Sequence, residues 1–84
     1  MSMELADPQG QLFAEIGDPA FKIKDVTLTY AMALCSSMAP GLDWPRINSA
    51  IMNRWSVNAL DRIKRDAWNL IRDDPDVSRT QQES

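Results

Sequence analysis

Arg46, Arg54, Asn58, Arg62 and Arg65 offer the most chemistry in this sequence. A guanidinium fork holds phosphate or carboxylate through paired N–H groups, and an asparagine amide can pair with an adenine edge. All five fall within Trp44 to Ile71, the stretch that also holds all three tryptophans. Trp68 stands close in sequence to Lys64, Arg65 and Arg72. Tryptophan and arginine are the residues favoured where a partner buries surface, so Trp68 and Arg72 form a candidate anchor for a protein partner.

Other chemistries are missing their parts. There is no histidine, and Cys35 is the only cysteine. Imidazole catalysis and thiolate–imidazole zinc sites are thereby excluded. Cys35 lies in the apolar run AMALCSSM, where a small core residue is expected. Gly10, Gly17 and Gly41 are isolated, so there is no glycine-rich phosphate loop. No pair of carboxylates shares an apolar face on which one could be tuned as an acid. The expectation is a non-enzymatic protein with no cofactor and no metal.

Charge sharpens the question of partner. The formal net charge is −3, from nine basic and twelve acidic residues. Averaged over the chain, this counts against a nucleic-acid binder. From Arg46 to Arg72, however, six basic residues face two acidic ones, giving +4, while residues 1–25 and 73–84 each carry −3. A basic stretch lies between acidic ends.

Size and composition limit what can hold these residues. Eighty-four residues with 44% hydrophobic content suit one small folded domain with a modest core. No apolar run approaches the roughly 20 residues of a membrane span. MSMELADPQGQ has neither the basic start nor the apolar segment of a signal peptide, so a cytoplasmic location is expected.

The periodicity predicts a mainly α fold: a small three-helix domain preceded by a short hairpin or extended arm. Residues 1–10 are expected to be a flexible arm, residues 11–74 a single helical domain and residues 75–84 a disordered tail. Leu12, Ala14 and Ile16 alternate with their neighbours, as do Phe21 and Ile23, around a Gly17-Asp18-Pro19 turn signal. That pattern fits a hairpin. A short helix followed by an extended segment fits it too, because six residues cannot separate the two periods. Asp25 then reads as the cap of a helix over 26–39 that stops at Pro40-Gly41. Asp43 caps a second helix over 44–55, with Pro45 in its first turn and Trp44, Ile47, Ile51 and Trp55 on one face. Ser56 caps a third over 57–72, whose inward stripe is Val57, Leu60, Ile63, Ala67, Leu70 and Ile71. Trp44 and Trp55 are expected in the core, with Trp68 on the flank.

The last two helices, meeting at NRWSVNAL, resemble a helix-turn-helix over about twenty residues. Ala50 matches the small residue at the helix crossing, Trp55 the apolar residue of the turn, and Leu60 and Ile63 the anchors of the second helix. Arg54 stands where the turn glycine is usual, and Asn53 replaces the apolar residue before it. The resemblance implies a small regulatory protein that binds DNA as a dimer, since one short helix gives limited affinity. Asn58, Arg62 and Arg65 would then face the bases or phosphates, with Arg46 and Arg54 clamping phosphates from the preceding helix. The alternative is an interaction or inhibitor module that docks a protein partner through the same helices. Compact acidic chains of this kind are common among phage-encoded and antitoxin-like proteins. Two structural readings stand beside these. The arginines could form a solvated, salt-laced face, which Asp61 in their midst favours, and Trp68 could pack near Phe13.

Overall fold

Asp7 and Pro8 open the fold with a helix. The structure, a computed structural model, describes residues 6–73. The Asp7 carboxylate accepts from the Gly10 N–H at 3.0 Å, and Pro8 occupies the first turn, where its missing N–H costs nothing. Helix α1 therefore runs Pro8–Gly17, and three residues expected in a flexible arm belong to it. Pro8, Leu12, Glu15 and Ile16 are its buried residues, a helical spacing. The alternation that suggested a strand was incidental, since Ala14 is exposed. Residues 1–5 and 74–84, with the expected tail, lie outside the described region.

Helix α2, Ile23–Cys35, starts earlier than expected. Lys22 is its N-cap residue. Asp25 sits three positions further on and reaches back to accept from the Lys22 N–H at 3.0 Å, so it closes the helix start from inside. The second half of the expected hairpin is thus the first turn of a helix, and the described residues contain no strand. The two β-branched threonines are accommodated through their hydroxyls. Thr27 donates to the Ile23 carbonyl at 2.7 Å, and Thr29 donates to Glu15 Oε2 at 2.7 Å. The helix ends at Cys35 rather than at residue 39. Ser36 turns extended, and its hydroxyl takes the Met38 N–H at 3.0 Å. A 3-10 turn over Ala39–Gly41 follows.

Helix α3, Trp44–Arg54, has the expected Asp43 cap, with Asp43 Oδ1 accepting from the Arg46 N–H at 3.2 Å. The Asp43 N–H donates in turn to Gln9 Oε1 at 2.8 Å, which ties the start of α3 to α1. Helix α4, Val57–Asp73, begins where Ser56 Oγ accepts from the Ala59 N–H at 3.1 Å, the cap its sequence predicts. Among the described residues, four α-helices thus stand where three and an arm were expected, and the fold is mainly helical.

The core lies between α2 and α4, which pack most extensively, with α1 and α3 closing it. Leu12, Val26, Ile47, Ile51 and Ile63 are wholly buried. Each contributes about 1.5–3 kcal/mol through the apolar area it withdraws from water. Trp44 and Trp55 are only partly buried against this core, contrary to the expectation that they would fill it. Their indoles need a polar outlet, and Trp44 Nε1 donates to the Ala39 carbonyl at 2.8 Å. The Trp44 ring tilts against Tyr30, 5.1 Å between centroids. Tyr30 is buried, and its hydroxyl donates to Asn48 Oδ1 at 2.8 Å. Burial pushes its pKa up from 10.0 to about 12, with the Asn48 hydrogen bond opposing. Among the described residues, no helix is long and apolar enough to cross a membrane.

Candidate functional site

Helix α4 carries most of the expected site residues, and its inner stripe decides which way they face. Ala59, Leu60, Ile63, Ala67 and Ile71 are buried, so the opposite arc faces outward. Asn58, Asp61, Arg62, Arg65, Trp68 and Arg72 are all exposed. Two residues expected on the inner stripe are exposed instead: Val57, on the first turn, and Leu70, at the edge next to α2.

The arc is less basic than its arginines suggest. Arg62 Nε lies 3.9 Å from Asp66 Oδ2, and Arg65 Nε lies 3.8 Å from Asp66 Oδ1. One carboxylate thus sits between the two guanidinium groups named for base or phosphate contacts, and Asp61 is exposed beside them. These solvent-exposed pairs add little stability, but they lower the field that a phosphate would meet.

Trp68 is different. It is 46% exposed. Lys64, Arg65 and Arg72 stand four and three residues before it and four after it, the spacings that make neighbours on a helix surface. Arg72 Nη2 donates to Asn69 Oδ1 at 2.6 Å, which braces one side of this rim. The result is an exposed indole within a partial ring of cations.

The two arginines of α3 have other neighbours. The Arg46 guanidinium is stacked over the Phe13 ring, 5.1 Å from its centroid, while remaining exposed. Arg54 was expected to clamp phosphate, and the structure gives it a different task. Its Nη1 donates to the carbonyls of Glu15, Ile16 and Asp18 at 3.0, 2.8 and 3.0 Å, and its Nη2 to that of Phe21 at 2.6 Å. It also stacks on Trp55 at 4.3 Å. These carbonyls belong to the end of α1 and the loop after it; those of Glu15 and Asp18 also accept from the Asp18 and Phe21 N–H groups, at 3.2 and 3.0 Å, and Arg54 supplies the donor for those of Ile16 and Phe21. Arg54 is a structural clasp.

The connection between α3 and α4 departs from the helix-turn-helix pattern in a related way. It consists of Trp55 and Ser56 alone, and no described residue has a positive φ. The left-handed turn that favours glycine is therefore not used, which accounts for Arg54 at that position.

A second surface went unnoticed in the sequence. A groove of about 480 Å³ runs between α2 and α4, with Ile23 and Leu28 on one wall and Leu70 on the other. Leu28 and Leu70 are 48% and 40% exposed. Lys24, Arg62, Asp66 and Asp73 also line it. The available signal was Leu28, an apolar position off the stripe through Tyr30 and inside the expected helix; Ile23, beside it on the same wall, needed the correct helix start to be visible.

Among the described residues, no group of three or more histidine, cysteine, aspartate or glutamate side chains could hold a metal ion. No protein-family model, curated protein or solved structure matches the chain.

Proposed function

We propose that this protein is a non-enzymatic docking domain acting in the cytoplasm, binding an acidic segment of a protein partner through the outer face of α4. The observation that carries this reading is Trp68, exposed and bordered by Lys64, Arg65 and Arg72. An indole supplies a large contact area at low entropic cost, and the cations select a partner of opposite charge. Arg72, hydrogen-bonded to Asn69, is already partly ordered for such a contact.

DNA binding is the second reading, favoured by the shared exposed arc of Asn58, Arg62 and Arg65. Two features weigh against it. Arg54 is committed to backbone carbonyls, and Asp61 and Asp66 lie among the remaining arginines.

A pull-down from the native host, run with and without nuclease, separates the two. The docking reading expects a retained protein that survives nuclease, is lost with Trp68→Ala, and weakens with Arg72→Ala. Retention that disappears with nuclease, falls steeply with salt and depends on Arg62 and Arg65 would establish the DNA reading instead.

A further inference from the structure

The groove between α2 and α4 is a separate surface from the one that carries Trp68. Trp68 and Leu70 are two residues apart, about 200° around the helix, so they project to opposite sides of α4. The docking proposal touches the groove only at Asn69, which lines it and accepts from Arg72.

We infer that this groove is the contact surface between two copies of the chain. Leu28 and Leu70 each stand about half exposed while lining it, so each is both wall and ridge. A twofold pairing lets the leucine ridges of one protomer enter the groove of its partner.

The charges lining the groove point to that occupant over another. They comprise two cations, Lys24 and Arg62, and two carboxylates, Asp66 and Asp73. An acidic or basic partner segment would meet repulsion from one half of them. A twofold interface presents the same patch to itself, so a lining that holds both signs in equal number is self-complementary. Arg62 and Asp66 already face each other within the protomer, at 3.9 Å. Lys24 and Asp73 form no ion pair among the described residues. In the dimer, Lys24 of one protomer meets Asp73 of its partner, twice over by symmetry. Two Trp68 faces then point outward from one particle.

Sedimentation velocity on the full chain tests this, in a concentration series reaching about 1 mM at low salt. The expected result is reversible dimerisation. Leu28→Glu and Leu70→Lys abolish it, while far-UV circular dichroism shows the helices intact, because both side chains are largely outside the core. Lys24→Glu weakens the dimer about tenfold, and adding Asp73→Lys to it restores most of the affinity. Trp68→Ala leaves self-association unchanged, which keeps this outcome distinct from failure of the docking reading. A chain that stays monomeric throughout the series overturns the inference. So does a dimer that ignores the leucine substitutions, and so does one that the charge swap fails to restore.

Discussion

Arg54 Nη1 donates to the Ile16 carbonyl at 2.8 Å, joining the last turn of α3 to the last turn of α1 across 38 positions of sequence. The same guanidinium reaches three further carbonyls, and its flat face rests on Trp55. A helix end that leaves carbonyls without partners is thereby closed by one side chain from another helix. The planar, multi-donor shape of arginine is what permits this, and a lysine ammonium cannot match it.

Arg54→Ala should therefore destabilise the fold by about 2–4 kcal/mol, because charged hydrogen bonds are lost and the part-buried Ile16 and Phe21 carbonyls lose their donor, while those of Glu15 and Asp18 keep backbone N–H partners. In a domain of this size, that lowers the melting temperature by about 10 °C or more. Arg54→Lys should recover less than half of the loss. Urea unfolding followed by tryptophan fluorescence measures both. An Arg54→Ala protein as stable as the wild type would remove the clasp from the account of this fold.

Tyr30 makes stability depend on alkaline pH. Its pKa is about 12 in the folded state against 10.0 for the free side chain. Between those values the folded state keeps a proton that the unfolded chain has released, so unfolding is increasingly favoured as pH rises. The contribution is fully present below pH 10 and lost as pH climbs through 12. The loss is on the order of 2–3 kcal/mol. Tyr30→Phe should abolish this slope at a cost of about 1 kcal/mol at neutral pH, since Asn48 loses its donor. As the only tyrosine, Tyr30 can be titrated directly by its tyrosinate absorbance. An apparent pKa near 10 in the folded protein would contradict its burial.

Glu15 couples α1 to α2 through Thr29. Its Oε2 accepts from Thr29 Oγ1 and from Gln11 Nε2, each at 2.7 Å, while Oε1 is buried with no hydrogen-bond partner. Removing one donor deepens an existing deficit, so Thr29→Val should cost about 1–3 kcal/mol despite its matching shape. In a Glu15→Met background the acceptor is gone, and Thr29→Val should then cost almost nothing. A double-mutant cycle by chemical denaturation reads the coupling. Equal costs in the two backgrounds would show that this hydrogen bond contributes no stability.

Local signals sufficed for the second half of the chain. Asp43 and Ser56 cap their helices where the sequence predicts, and Leu60, Ile63, Ala67 and Ile71 form the expected buried stripe. Caps act over three residues and helical stripes repeat over several turns, so both are written into the order of residues. The Asp7-Pro8 start of α1 was equally local, but the alternation of Leu12, Ala14 and Ile16 hid it.

The remainder was decided by tertiary structure. Arg54 is a surface cation by composition and became a clasp because its four acceptors, Glu15, Ile16, Asp18 and Phe21, lie 33–39 positions away. Leu70 belongs to the inward stripe by spacing, yet lies half exposed because α2 opens a groove beside it. Trp44 and Trp55 are core residues by periodicity, but each has a polar or cationic neighbour that keeps it at the boundary. Periodicity records which face of a helix is apolar. Whether that face is covered depends on the neighbouring helix, and on side chains that arrive from distant parts of the chain.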